Sequence, residues 1–99
     1  GQGRNDNAVT GETGTVYLLH LNRPFGHARH YLGWSQFLRA RLHYHSIGAG
    51  ANLLRHVRAA GIGWSLARTW PGATRADERR LHNRGGAARL CPICKAELT

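Results

Sequence analysis

The chain has 99 residues, 41% of them hydrophobic, which is enough for one small domain with a thin core and too much for a disordered segment. It carries 14 basic residues against five acidic ones, a formal charge of +9 at pH 7, and every basic residue except Lys95 is arginine. No apolar run approaches the roughly 18 residues that span a bilayer, and residues 1–15 lack the pattern of a signal peptide. Two cysteines are too few for a secreted disulfide framework. We therefore expect an intracellular protein without a membrane span, cytoplasmic or, in a bacterium, associated with the nucleoid.

The charge predicts a phosphate-rich partner. Between residues 15 and 96 the only carboxylates are those of Asp77 and Glu78, and the planar guanidinium fork of arginine suits phosphate. A codon bias toward arginine would explain arginine over lysine, but not the shortage of acids. We expect DNA, and the sequence leaves open whether it is duplex, branched or modified. The arginines expected to contact its backbone are Arg29, Arg39, Arg55 and Arg58.

The first half of the chain predicts a tail, a hairpin and a helix. Residues 1–13 have no apolar period and predict a flexible tail, which leaves residues 14–99 as the domain. Residues 15–21 are typical of a strand buried on both faces, and residues 22–26 of a turn. With a second strand over residues 30–34, the connecting loop is long and carries His27 and Arg29. Ser35 can then cap a helix over residues 36–45.

The second half predicts a helix, a strand and a last helix. Residues 52–60 have helical spacing, and residues 62–70 alternate large and small side chains as a third strand that ends at Pro71 and Gly72. Thr74 and Asp77 have the spacing of a capping box at the start of the last helix. Together the elements predict an α/β (α+β) domain with a three-stranded, mostly antiparallel sheet flanked by helices.

Two tripeptides and the residues after them resemble the GIY-YIG nuclease family. Thr15-Val16-Tyr17 stands in the place of the first tripeptide, and Tyr31-Leu32-Gly33 in the place of the second. The resemblance covers about residues 14–85 and implies a nuclease domain. It departs from the family at Thr15, where the pattern has glycine, and at the late asparagine, because Asn83 lies very close to Glu78. The ordered set that carries the resemblance is Tyr17, Tyr31, Gly33, Arg41, His45 and Glu78.

The carboxylates and Arg41 predict phosphodiester chemistry. Mg²⁺ often takes one or two carboxylates and keeps water as its other ligands. Since Asp77 is needed at the start of a helix, Glu78 is the expected ligand of Mg²⁺ or Mn²⁺; alternatively it pairs on the surface with Arg75 or His82. Arg41 is the candidate clamp on the scissile phosphate, or else an ordinary solvated helix residue.

Two tyrosines and a histidine complete the predicted catalytic group. Tyr17 and Tyr31 would lie on adjacent strands with their hydroxyls in one pocket, Tyr17 to activate or orient water and Tyr31 to hold phosphate. His45, one helical turn after Arg41, could relay the proton or contact phosphate. The alternative for both tyrosines is an ordinary place in the core.

A second constellation predicts a zinc site. Cys91 and Cys94 have the spacing by which two ligands clip one metal from a turn, and so have His27 and His30. Closure of a Cys₂His₂ site would pin the C-terminal segment to the hairpin. Three alternatives stay open: His82 or His20 as a substitute ligand, or no metal at all.

These residues favour a metal-dependent DNA endonuclease. The chief alternative is a non-catalytic, basic nucleic-acid-binding module, and a weaker one is a zinc-stapled domain that binds an acidic protein. Because 99 residues leave little room for a specificity domain, we expect specificity to come from a homodimer, a partner protein or a longer parent chain.

Overall fold

The elements follow the predicted order, with two short helices added at the C-terminal end. The computed structural model describes residues 12–97, so all but the last two residues of the predicted tail lie outside the described part. The strands are β1 (Gly14–Phe25), β2 (Ala28–Ser35) and β3 (Trp64–Ala73). The helices are α1 (Leu38–Ser46), α2 (Asn52–Ala59), α3 (Arg75–Arg84), α4 (Ala87–Leu90) and α5 (Pro92–Glu97). None of the helices in residues 12–97 combines the length and the apolar character of a membrane span.

The sheet has β1 at its centre, with β2 and β3 antiparallel to it on either side. Residues 16–21 of β1 are all buried, because both faces of the central strand are covered. The odd-numbered residues of β1 pack with α2 in the core, where Leu19 and Leu21 meet Leu54 and Val57. The even-numbered residues face α3 and the C-terminal helices. The predicted α+β architecture with an antiparallel sheet is confirmed.

The prediction of a long loop between the first two strands is wrong. β1 continues to Phe25 and β2 begins at Ala28, so that only Gly26 and His27 form the turn, with Gly26 at a φ of 62° that favours glycine. The segment with turn-forming residues stays extended: the N–H of Asn22 donates to the carbonyl of Gly63 at 2.8 Å, Arg23 donates to the carbonyl of Ala60 at 3.0 Å, and Phe25 pairs with Ala28. Arg29 therefore lies on a strand rather than in a loop.

Two predicted element ends also differ. α1 begins at Leu38, and Ser35 does not cap it; the Ser35 hydroxyl accepts the N–H of Phe37 at 2.9 Å and closes the turn out of β2. β3 does not end at Pro71 but runs to Ala73. Proline is tolerated there because β3 is an edge strand whose outer N–H groups need no partner. Gly72, at a φ of 71°, is the extra residue where the pairing with β1 shifts.

The start of α3 follows the prediction. Thr74 and Asp77 form the capping box. The N–H of Asp77 donates to the Thr74 hydroxyl at 3.2 Å, and the N–H of Thr74 donates to the Asp77 carboxylate at 2.8 Å. Asp77 also pairs with Arg80. The cap fixes where α3 begins and so places Glu78 in its first turn.

Candidate active site and metal centre

The register of the hairpin brings the two predicted tyrosines together. β1 and β2 pair Tyr17 with Gly33 and Leu19 with Tyr31, so the tyrosines are diagonal neighbours on one face of the sheet. Their ring centroids lie 6.2 Å apart. Tyr17 is buried within the core, whereas Tyr31 is half-buried and packs against it.

Gly33 makes room for the Tyr17 hydroxyl. A Cβ at this position would lie 2.5 Å from the hydroxyl oxygen of Tyr17 and 2.9 Å from a ring carbon of Tyr31. Because Gly33 lies directly opposite Tyr17 in the ladder, any side chain there would displace the hydroxyl. The glycine of the second tripeptide therefore has a steric reason to follow its tyrosine by two residues.

His45 closes the group from α1. Its Nε2 lies 2.8 Å from the hydroxyl oxygen of Tyr17, and its ring lies 5.5 Å from that of Tyr31. The side chain is buried, and a Cβ at Gly50 would lie 2.8 Å from its Nδ1. Within residues 12–97, Nδ1 has no hydrogen-bond partner although it is buried. His45 is thus enclosed in the tyrosine cluster, and its Nε2 is the nitrogen that contacts the Tyr17 hydroxyl.

Burial sets the protonation of the three residues. It raises the pKa of Tyr17 far above its usual value, with Tyr31 adding to the shift, and it raises the pKa of Tyr31 as well. Burial lowers the pKa of His45, and the positive charge of Arg41 lowers it further. At neutral pH both tyrosines therefore keep their protons and His45 is an uncharged imidazole.

Arg41 and Glu78 lie close enough to act on this cluster electrostatically. The charge of Arg41 lowers the pKa of both tyrosines, and the charge of Glu78 raises it. Arg41 is exposed and lines a surface groove of about 280 Å³. In the part of the chain that the structure describes, neither side chain makes an ion pair. Both charges are therefore available to a ligand.

Neither of the two surface partners considered for Glu78, Arg75 and His82, forms an ion pair with it among residues 12–97. Arg75 stacks on the ring of Trp34 with its guanidinium carbon 4.7 Å from the ring centroid, and His82 is exposed. The structure thus brings Tyr17, Tyr31 and His45 into contact, and the charges of Arg41 and Glu78 act on the two tyrosines.

A second site lies on the other face of the hairpin. His20 and His30 are direct partners in the β1–β2 ladder, and Cys91 and Cys94 meet them from the start of α5. The Nδ1 atom of His20 lies 3.4 Å from the Cys91 sulfur and 3.5 Å from the Cys94 sulfur. The Nε2 atom of His30 lies 3.2 Å from the Cys94 sulfur. All four ligand atoms lie within 4.8 Å of one another, so this cluster could hold a metal ion.

The geometry suits tetrahedral coordination. With metal–sulfur bonds of about 2.3 Å and metal–nitrogen bonds of about 2.05 Å, a tetrahedral site has sulfur–nitrogen edges of about 3.6 Å. The three observed edges of 3.2 to 3.5 Å are close to that value. Burial lowers the pKa of His30 and, with the neighbouring Cys91, raises the pKa of the Cys94 thiol.

The predicted ligand His27 is not part of this cluster. It lies in the two-residue hairpin turn and is exposed, while His20, which the sequence analysis left open as a substitute, takes its place. The reason is the ladder register: side chains alternate along a strand, so the neighbour of His30 across the sheet is His20. Pairing the two strands in register would have found it.

The predicted DNA-contacting arginines differ in their surroundings. Arg29 is held within the protein: its Nε donates to the carbonyl of Leu21 at 3.0 Å, and its Nη2 lies 3.6 Å from the carboxylate of Glu97. Arg58 donates to a backbone carbonyl and Arg55 to a neighbouring amide, and both remain exposed. Arg39 is exposed and makes no ion pair among residues 12–97.

No protein-family model matches the chain, and comparison with curated proteins and with solved structures also gives no match. The resemblance to GIY-YIG nucleases therefore stays an expectation. The two sites are interpreted below from their own geometry.

Proposed function

We propose that the protein is a metal-dependent DNA endonuclease of the GIY-YIG type that hydrolyses phosphodiester bonds. The observation that carries this proposal is the contact of Tyr17 with His45 beside Tyr31, with the unpaired charges of Arg41 and Glu78 close by. A core tyrosine pair needs neither a buried histidine nor two free charges of opposite sign. Hydrolysis of a phosphodiester needs such groups, because charge develops on the phosphate while a proton leaves the water.

His45 and Tyr17 share the handling of the water. Because its pKa is raised, Tyr17 is not a base by itself, whereas the neutral imidazole of His45 can accept a proton. With Nε2 as the acceptor, a water hydrogen-bonded to the Tyr17 oxygen passes its proton to Tyr17 while Tyr17 passes its own to His45. Tyr31 stays protonated and donates to a phosphate oxygen, and Arg41 holds the same phosphate from the solvent side.

Glu78 is the residue that would hold Mg²⁺ or Mn²⁺. A single carboxylate that no cation of the described residues neutralises fits Mg²⁺, which commonly keeps several of its waters. When bound, such a cation takes up negative charge that develops on the scissile phosphate. Asp77 does not compete for this role, since the capping box and Arg80 occupy its carboxylate.

We also propose that the His/Cys cluster binds zinc as a structural site. Two sulfurs and two imidazole nitrogens form a closed set of four ligands, which is typical of structural rather than catalytic zinc. The metal would tie α5 to the hairpin and so add stability that a small core supplies only sparingly.

The zinc site favours one other function. A zinc-stapled, strongly basic domain can bind nucleic acid without cutting it, and the cluster of His20, His30, Cys91 and Cys94 needs no catalysis to explain it. On this alternative, phosphate contacts supply affinity with a steep salt dependence and the tyrosine cluster is only part of the core.

Plasmid nicking separates the two functions. The wild type is compared with Glu78→Gln in Mg²⁺ and in Mn²⁺ on plain, branched and modified DNA, and binding of each protein is measured by fluorescence anisotropy. Glu12→Gln is the matched control, since it removes an equal charge at an exposed position before β1. We expect nicking by the wild type and by Glu12→Gln, and binding without nicking by Glu78→Gln. Tight binding without nicking by all three proteins would establish the binding module instead.

A further inference from the structure

The two nitrogens of the His20 ring face different surroundings. Nδ1 faces the sulfurs of Cys91 and Cys94. Nε2 faces away from them: it accepts a hydrogen bond from Nη2 of Arg29 at 3.3 Å, and it lies 3.7 Å from a carboxylate oxygen of Glu97. His20 is buried, so the polar atoms around it decide which nitrogen carries its proton.

A bound metal would fix that choice. A histidine ligand offers the lone pair of one nitrogen to the metal and carries its proton on the other, which normally donates to a carboxylate or a carbonyl. With the metal on Nδ1, the proton must lie on Nε2, and Nε2 can then no longer accept the hydrogen bond from Arg29. The guanidinium of Arg29 has only donors, so it cannot accept that hydrogen. The Glu97 carboxylate can.

We infer that Glu97 is the outer carboxylate of the metal site, which accepts the Nε2–H of His20 and holds that ring with Nδ1 on the metal. This inference rests on the proposed zinc site. Glu97 lies at the end of α5, the helix that also supplies Cys94, and its side chain is about half exposed, so it has room to shorten the 3.7 Å separation. One short helix thus delivers both a ligand and the group that orients the opposing ligand.

Arg29 has a supporting place in the same arrangement. It lies on β2 between the carbonyl of Leu21 and the carboxylate of Glu97, to which its Nη2 is 3.6 Å. Its charge attracts the Glu97 carboxylate toward the hairpin, and it offsets the negative charge that two thiolates bring. Arg29 is therefore a part of the metal site rather than a contact to DNA.

Zinc affinity tests the inference. The purified chain is loaded with one zinc ion, and its affinity is measured by competition with a chromogenic chelator for the wild type, Glu97→Ala and Glu97→Gln. Loss of an outer-sphere partner typically weakens binding about 10–100-fold, which is the loss we expect for Glu97→Ala. Glu97→Gln keeps a carbonyl oxygen that can accept the same hydrogen, and we expect it to restore part of the affinity.

Two controls separate orientation of the ring from damage to the helix or a change in charge. Lys95→Ala truncates an exposed side chain of the same helix, and Glu12→Ala removes one negative charge elsewhere; both should bind zinc like the wild type. Long-range ¹⁵N NMR of the loaded wild type should give His20 with Nδ1 on the metal and the proton on Nε2. In Glu97→Ala, exchange of the His20 N–H with water should become faster.

The outcomes distinguish this inference from the zinc site itself. Wild-type affinity in Glu97→Ala, or coordination of His20 through Nε2, would overturn the role of Glu97 and leave the zinc site standing. A wild-type chain that retains no zinc would overturn the metal site and the inference together.

Discussion

Replacement of Gly33 by alanine tests the geometry of the tyrosine cluster directly. The added carbon would lie 2.5 Å from both the hydroxyl oxygen and the adjacent ring carbon of Tyr17, about 1 Å inside ordinary van der Waals contact. Tyr17 cannot simply rotate away, because it lies on the central strand of the sheet and its hydroxyl is hydrogen-bonded to His45. The ring, the strand or both must shift.

We expect Gly33→Ala to lower the free energy of unfolding by about 1–3 kcal/mol, the usual range for an overpacked core. For a domain of this size each kcal/mol lowers the Tm by roughly 4–8 °C. Displacement of the Tyr17 hydroxyl should also separate it from His45, so nicking should fall further than stability alone explains.

Thermal unfolding and plasmid nicking of Gly33→Ala measure the two effects. Gly63→Ala is the matched control: its added carbon would meet only the amide end of the exposed, flexible Asn22 side chain, so we expect a change in Tm of a few degrees at most. A Gly33→Ala protein with wild-type Tm and wild-type nicking would refute the placement of the Tyr17 hydroxyl against this strand.

Three further outcomes follow from the same geometry. Tyr17→Phe should fold with a loss of about 0.5–1.5 kcal/mol for one hydrogen bond, yet nick at least tenfold more slowly with unchanged DNA affinity; wild-type nicking would remove Tyr17 from the mechanism. His45 has a pKa of 6.5 in the unfolded chain and a lower pKa in the folded chain, so its contribution to the free energy of unfolding should be fully present above pH 6.5 and be lost as the pH falls below that value. Urea unfolding between pH 7.5 and pH 5 should therefore show a shallower loss of stability in His45→Gln than in the wild type. An equal loss in both proteins would contradict the lowered pKa. Arg39→Gln should weaken DNA binding and reduce its salt dependence, whereas Arg29→Gln should lower zinc affinity and leave DNA binding almost unchanged; anisotropy and chelator competition distinguish the two, and the reverse pattern would overturn these assignments.

The central strand and the capped helix could be predicted from the sequence because their signals are local. Residues 16–21 form an apolar run without a polar face, which is typical of a strand covered on both sides, and Thr74 with Asp77 carries its own hydrogen-bond geometry. The proximity of Tyr17 and Tyr31 followed from two tripeptides on adjacent strands. In each case a few neighbouring residues contain the information.

The parts that the sequence did not predict depend on partners far away along the chain. Residues 22–25 contain turn-forming residue types, but they are extended, with a backbone hydrogen bond from Asn22 to Gly63 and a side-chain hydrogen bond from Arg23 to Ala60. His27 has a clip spacing with His30, yet the register of the hairpin places His20 opposite His30. The enclosure of His45 by Gly50, and the contact of Arg29 with Glu97, likewise depend on tertiary packing that no local pattern encodes.

The hairpin register has a consequence for folding. β1 sends Tyr17 to one face and His20 to the other, and β2 does the same with Tyr31 and His30. A slip of one residue would exchange the faces of every side chain on the strand. A metal held by His20 and His30 would accept only the pairing in which these two histidines lie opposite each other. That same pairing places Tyr17 opposite Gly33. The ion on one face of the sheet would therefore select the strand register that the tyrosine cluster on the other face requires.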